Sequence, residues 1–258
     1  MARLLRTQGQ VQVVKALLCA NANPEHTTSS ETALTWAVRS ARVAVVEALI
    51  LGGSRVGARN NRNLGALQLV SIGGAGCNGS SGDCAAIMRA ILKAVDADCE
   101  QETGTDRWAA LHYAARNGVV ATETLLAAGC NANVRTPTGL TPLMRASTLG
   151  SLEVVLALLR HPGVSIDAQT SGSNCAGKKN CRTALLYACA NGHGRIAVAL
   201  LDAGADGALM GKGHNCLSKA AVNRSATTVK LVCSSHLALS CSSQDRYTAF
   251  LRAIKVSK

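Results

Sequence analysis

The sequence has very few aromatic residues and no long apolar run. Phe, Trp and Tyr together make up 2% of its 258 residues, although hydrophobic residues make up 48%. A membrane-spanning helix needs about 18 or more consecutive apolar residues, and no run of that length occurs. The first ten residues, MARLLRTQGQ, also lack the apolar core of a signal peptide. We therefore expect a soluble, intracellular protein of the cytoplasm, with a core of small aliphatic side chains.

The eleven cysteines lack the spacing of a structural metal site. Cys77 with Cys84, and Cys175 with Cys181, lie in loops, and neither pair is Cys-x-x-Cys. A disulfide within either loop pair is left open, but a reducing compartment disfavours it. His214 lies next but one to a cysteine, yet no fourth ligand is visible at a suitable spacing. We predict neither a metal nor a cofactor.

Two glycine-rich segments match nucleotide-binding patterns only in part. Residues 74–79 fit G-x-G-x-x-G, but that site needs a strand before the glycines and a helix directly after them. Residues 172–179 approach the P-loop, with Lys179 where a Ser or Thr should hold Mg²⁺. We interpret both as insertion loops and predict no small-molecule substrate and no enzymatic activity.

Residues 108–134 contain two short apolar helical faces. Apolar residues recur at i, i+3 and i+4 on either side of Asn117-Gly118, and Gly129 ends the second run. This segment predicts a helix, a turn, a second helix and a loop.

The same unit recurs along the chain. If Leu111 is used as a phase marker, successive markers lie 32, 33, 44, 32, 42, 32 and 33 residues apart, and the two long intervals carry insertions near residues 72–84 and 171–182. The markers, including two non-leucines at the ends, are Ala2, Leu34, Leu67, Leu111, Leu143, Leu185, Leu217 and Phe250.

The units resemble ankyrin repeats, whose period is about 33 residues. Leu111-His112-x-Ala114 and Thr141-Pro142-Leu143 match the family's Thr-Pro-Leu-His-x-Ala. The resemblance implies an all-α ankyrin-repeat solenoid over residues 1–258, with about six complete units and a partial unit at each end. Because the end units are incomplete, we expect a fragment of a longer protein; the alternative is an end that a partner covers.

Charge is unevenly distributed. Residues 1–69 carry net +5, residues 70–137 net −2, residues 138–213 net +3 and residues 214–258 net +6. A positive field favours acidic proteins, anionic membranes or nucleic acid. The scarcity of aromatic rings for base stacking makes nucleic acid the weaker interpretation.

The resemblance implies a non-catalytic protein–protein interaction module or scaffold that binds a macromolecular partner in a concave groove. Two alternatives stay open: a regulatory or substrate-recognition segment of a larger enzyme, such as a ubiquitin-ligase adaptor, and a charge-driven binder of nucleic acid or anionic membrane. Loop tips and the ends of each first helix would contact the partner. The matching residues are Glu31, Arg39, Arg62, Leu64, Asp106, Trp108, Arg116, Asn117, Leu140, Lys179, Arg182, His214 and Tyr247.

Two tryptophans are expected to differ. Trp108 and Tyr247 are the strongest candidates for partner contacts, since aromatic residues dominate interface hot spots. The alternative for Trp108 is a ring folded over the start of its own helix. Trp36 lies inside the repeat motif, and we predict it in the core.

Overall fold

The computed structural model describes residues 2–27, 31–73, 82–94, 98–100, 108–171, 181–209, 215–223 and 225–234. These residues form thirteen α-helices and no strand, apart from an isolated antiparallel bridge between Arg59 and Gly65. None of the helices described is both long enough and apolar enough to cross a membrane. The helices are α1 Ala2–Cys19, α2 Ala33–Arg39, α3 Val43–Leu51, α4 Ala66–Ile72, α5 Gly82–Leu92, α6 Ala110–Asn117, α7 Val119–Ala127, α8 Pro142–Leu149, α9 Leu152–Arg160, α10 Ala184–Ala190, α11 Gly194–Asp202, α12 Cys216–Val222 and α13 Ala226–Ser234.

The helices are organised as pairs within two compact units, Met1–Asn131 and Ala132–Lys258. In unit 1, α2 pairs with α3, α4 with α5 and α6 with α7, while α1 packs against α3. In unit 2, α8 pairs with α9, α10 with α11 and α12 with α13. We call the even-numbered helices first helices and the others second helices. The all-α fold class is confirmed; the single array over residues 1–258 and its number of complete units stay predictions.

Within each unit, like helices pack against like. The first helices stack in the order α2, α4, α6 in unit 1 and α8, α10, α12 in unit 2. The second helices form their own row of contacts, in the order α1, α3, α5, α7 in unit 1 and α9, α11, α13 in unit 2. A short helix with one apolar face cannot bury enough surface alone, so these contacts between neighbours supply the core.

The marker leucines form the centre of these contacts. Each of the six is at most 5% exposed, and all six lie near the start of a first helix. The repeat phase predicted from the sequence is therefore confirmed at Leu34, Leu67, Leu111, Leu143, Leu185 and Leu217. Phe250 and the side chain of Ala2 lie outside the described residues.

The first helices begin at capping residues that the sequence contains. The hydroxyls of Thr32, Thr141 and Thr183 accept hydrogen bonds from backbone N–H groups three residues on, at 3.2, 3.3 and 3.3 Å. Asn215 does the same for α12 through Oδ1, at 2.9 Å. Such caps satisfy N–H groups that the first turn of a helix leaves unpaired. Gly65 and Ala109 provide no side-chain cap for α4 and α6.

Two helix boundaries differ from the prediction. The predicted second helix from residue 11 to residue 18 is the later part of α1, which begins at Ala2. The predicted helix from residue 85 to residue 95 begins instead at Gly82 and ends at Leu92. Asp83 in the first turn of α5 favours the earlier start, because a carboxylate stabilises a helix N-terminus. The eighth unit and most of both insertions lie outside the described residues.

The cysteines correct one expectation. A disulfide joins Cys99, between α5 and α6, to Cys130, just after α7. These cysteines are 31 residues apart, close to one repeat period, so they follow successive second helices of unit 1. Cys84 is also disulfide-bonded, an outcome that the sequence left open but that a reducing compartment would disfavour. Cys181 is not disulfide-bonded.

Candidate partner-binding surface

Three positions of a first helix meet at its surface. They are the third residue before the marker leucine and the second and fifth residues after it. On α2 these are Glu31, Trp36 and Arg39. Arg39 Nη1 donates to Glu31 Oε1 at 2.9 Å, and the Arg39 guanidinium lies 4.9 Å from the centre of the Trp36 ring. We call this row of side chains the ridge of a first helix.

Ridge side chains also contact each other on two other first helices, in a different pairing. On α6, the Trp108 ring lies 5.2 Å from the Tyr113 ring and 6.3 Å from the ring of His112. On α10, the guanidinium of Arg182 lies 5.5 Å from the Tyr187 ring. In each case the residue three before the marker leucine lies against the aromatic residue two after it. Trp108 therefore lies over its own helix, which agrees with the alternative interpretation of this residue.

Arginines lie on the ridges of α2 and α6 and in the loop before α4. Arg39 and Arg116 hold the same position, in the last turns of α2 and α6. Arg62 precedes α4, and the side chains of both Arg62 and Arg116 are exposed. Among the described residues, Arg39 has Glu31 as a counter-ion, whereas neither Arg62 nor Arg116 forms an ion pair.

Leu64 and Leu140 have a structural role in the turns before their helices. Leu64 is only 9% exposed, and its N–H donates to Asn60 Oδ1 at 3.0 Å. Its carbonyl accepts from the Asn60 N–H at 2.9 Å. Thr136 holds the half-buried Leu140 in the same way, at 3.1 and 3.0 Å. The structure thus places Leu64 inside the turn, where its side chain has little surface to offer a partner.

Several predicted contact residues cannot be located on this surface. Asp106, Lys179, His214 and Tyr247 lie outside the described residues, and for Asn117 only the backbone, which ends α6, is described. Arg182, by contrast, is described, and two hydrogen bonds hold its backbone. Its N–H donates to Thr170 Oγ1 at 3.0 Å, and its carbonyl accepts from the Thr170 N–H at 3.1 Å.

Trp36 is a contact candidate that sequence reasoning missed. We predicted it in the core, but its exposed fraction is 55%. The corresponding residue on α4 is Leu69, which is 8% exposed. The helices that pack most extensively on α2 are α3 and α4, and Trp36 lines an open groove with residues of α1. The available signal was the position of α2, which is the earliest first helix in the repeat register.

One carboxylate in unit 2 is electrostatically perturbed. Partial burial raises the pKa of Asp167, the N–H of Asp206 lowers it by donating a hydrogen bond, and the negative charge of Asp206 raises it. Both oxygens of Asp167 accept from that N–H at 3.1 Å. Within the part of the chain that the structure describes, no group of three or more His, Cys, Asp or Glu could hold a metal ion. We therefore assign the Asp167–Asp206 contact a structural role, in which it joins two loops of unit 2.

Helix pairs that stack in register and share a buried marker leucine define a helical-repeat protein. Family models of ankyrin repeats match residues 75–170 (described as three copies) and residues 143–201 (many copies). Over residues 75–201 the chain is therefore similar to ankyrin repeats. Ankyrin repeats mediate binding to other proteins, and the fold is generally non-catalytic.

A solved structure supports the same fold. The chain is similar to the crystal structure of the ankyrin repeat domain of Bcl-3, described as a unique member of the IkappaB protein family. The two are 22% identical, the TM-score is 0.70, and the match covers 88% of this chain and 94% of that one. The comparison with curated proteins found no match.

Proposed function

We propose that this chain is a non-catalytic module that binds an acidic segment of another protein along the ridges of α2 and α6. The observation that carries this proposal is the placement of Arg39 and Arg116 at one register position, with Arg62 in the loop before the helix between them. Two of these three guanidinium groups have no counter-ion among the described residues. A carboxylate-rich partner would supply the missing charges.

The neighbouring rings favour the same surface. A guanidinium can bind a carboxylate through two parallel hydrogen bonds, which gives direction as well as charge. An exposed ion pair contributes only about 0.2–1 kcal/mol, because water screens it. A contact that excludes water can reach about 2 kcal/mol or more, and such anchors are commonly Trp, Tyr or Arg. Trp108 and Tyr113 supply apolar area on the helix that carries Arg116, so we propose α6 as the main anchor.

The test compares substitutions on the ridge of α6 with the substitution of an arginine elsewhere in unit 1. Protein partners captured by the wild-type chain are quantified for a Trp108→Ala/Arg116→Ala variant and for Arg89→Ala. Arg89 is an exposed arginine on the second helix α5, so this control removes one positive charge without touching the ridge. We expect the double variant to weaken capture by about tenfold or more, and Arg89→Ala to leave it unchanged. Equal capture by all three proteins would contradict the assignment of the ridge.

A second candidate is a charge-driven binder of nucleic acid or anionic membrane, favoured by the net charge of +12. Binding of that kind falls steeply as salt rises, because it depends on the release of counterions. We expect instead a saturable protein partner whose binding depends on α6. The further alternative, a recognition segment of a larger enzyme, uses the same surface. An adjoining catalytic domain in the reading frame would favour it.

A further inference from the structure

An open groove lies at the edge of unit 1, between α1, α2 and α3. Its volume is about 620 Å³, and its walls are mostly apolar. We call it the end groove. The side chains that give it this character are Val13, Val14, Ala33, Trp36, Ala37 and Val45.

The structure itself contains a reference for this surface. Ala33 and Trp36 on α2 correspond in repeat register to Ala66 and Leu69 on α4. Ala66 is 1% exposed and Leu69 is 8% exposed, whereas Ala33 is exposed and Trp36 is 55% exposed. Both helices pack against their own second helix and against the next first helix. Only α4 also has a first helix packed before it among the described residues.

This difference in burial indicates that a helix fits the end groove. On α4, which packs against α2 as well as α5 and α6, these two positions are buried. The same positions on α2 are therefore the ones that a further first helix would cover. The end groove continues the α2–α4 interface by one repeat step. Such a surface suits an amphipathic helix whose apolar side enters the groove, a common mode of peptide recognition.

Charge indicates the polar side of that helix. Arg42 lines the groove and donates to Gln10 Oε1 at 3.1 Å, and Lys15 is exposed on α1. Residues 1–69 contain eight basic and three acidic residues. The surroundings of the groove thus favour acidic residues on a partner, both in the encounter and in the complex.

We propose that the end groove binds an amphipathic helix of a partner protein, apolar towards Trp36 and Val13 and acidic on its outer side, in the place of a further first helix. This surface shares Trp36 with the ridge of α2 but is separate from the ridge of α6. Trp36 is the central contact, because it is the largest side chain that the groove leaves exposed.

The two tryptophans of the chain provide the measurement. In a Trp108→Phe variant, Trp36 is the remaining tryptophan, and its emission should shift to shorter wavelength when a helix covers it. The probe is a hydrocarbon-stapled helical peptide with the α4 sequence ALQLVSI and two glutamates at each end. Control peptides carry lysines in place of the glutamates, or serines in place of the leucines and the isoleucine. The reciprocal Trp36→Phe variant reports from Trp108.

We expect saturable binding of the glutamate peptide with a blue shift in Trp108→Phe and no shift in Trp36→Phe. The lysine peptide should bind about tenfold more weakly at low salt, and the serine peptide should not bind. Val13→Glu places a charge on the groove wall and should abolish binding. Leu51→Glu changes another exposed aliphatic residue of unit 1, 86% exposed and outside the groove, and should leave binding intact.

Three outcomes would overturn the proposal. The first is no spectral shift with the glutamate peptide at millimolar concentration in a variant whose circular dichroism matches the wild type. The second is equal binding of the lysine peptide, which would exclude the acidic partner. The third is a blue shift when the protein alone is concentrated, together with dimerisation in sedimentation, because the occupant would then be a second copy. The Trp108→Phe/Arg116→Ala variant should still bind the glutamate peptide. This result would separate the end-groove proposal from the proposal for the ridge of α6, which depends on Trp108 and Arg116.

Discussion

Loss of the Cys99–Cys130 disulfide should lower the free energy of unfolding of unit 1 by about 3–4 kcal/mol. The disulfide closes a loop with a sequence separation of 31 residues. In the chain-entropy model, closure of a 15-residue loop contributes about 3 kcal/mol and closure of a 100-residue loop about 4.7 kcal/mol. The loop here lies between these cases. It also joins successive second helices, and in a repeat stack each interface with a neighbour contributes directly to stability.

The variant for this test is Cys99→Ser, with Cys19→Ser as the matched control. Cys99 is half-buried, while Cys130 is 3% exposed, so serine is better tolerated at residue 99. Cys19 is an exposed free thiol on α1. A reducing agent is a poorer perturbation, because it would also break the bond of Cys84.

Urea unfolding followed by circular dichroism measures the effect. With a slope of about 1–3 kcal/mol per molar urea, the Cys99→Ser midpoint should fall by roughly 1–4 M. The Cys19→Ser midpoint should match that of the wild type. A difference of less than about 0.5 kcal/mol between the two variants, the range of an ordinary surface substitution, would show that the disulfide does not hold the stack together.

Three further predictions concern unit 2. Thr141→Ala should cost about 1 kcal/mol in thermal or urea unfolding, because it removes the N-cap of α8; an unchanged midpoint would contradict the capping role. Leu185→Ala should cost about 2–5 kcal/mol, whereas Leu149→Ala, at a site 39% exposed, should cost much less. Because burial raises the pKa of Asp167, folding disfavours its charged form. Its contribution to stability is therefore largest below the unfolded pKa near 3.8 and is lost as pH rises through the folded value. Asp167→Asn keeps an acceptor for the N–H of Asp206, so it should be more stable than the wild type at pH 7, with the gap closing in acid; a gap that is independent of pH would refute this explanation.

The proposed binding surfaces depend on different kinds of information. Arg39 and Arg116 share a register position that can be counted in the sequence, so their common placement on first helices was predictable. A Trp108 ring folded over the start of its own helix is one of two interpretations that the sequence allows, and the contact of Trp108 with Tyr113 agrees with it. The end groove was not predicted, since it depends on which neighbour a helix has rather than on the helix itself.

The repeat period, the burial of the marker leucines and the start of several helices could be predicted from the sequence. These features depend on local causes: apolar spacing within a helix, a threonine hydroxyl at its first turn, and glycine at a turn. Gly118, for example, has φ of 145° between α6 and α7, a conformation that favours glycine. Such causes act over a few residues and can be recognised without knowledge of the stack.

The tertiary structure alone decided which equivalent positions are covered. Trp36 and Leu69 occupy one register position, yet Leu69 is 8% exposed on a helix that has a first helix packed before it, whereas Trp36 is 55% exposed on α2, before which the described residues place no first helix. Likewise, Cys99 and Cys130 are one repeat period apart, and only the packing of successive units brings their sulfur atoms together. Burial and disulfide pairing depend on what lies next to a residue in space. A repeated sequence motif predicts the same local structure in every repeat, but it does not show whether a neighbouring helix covers that repeat.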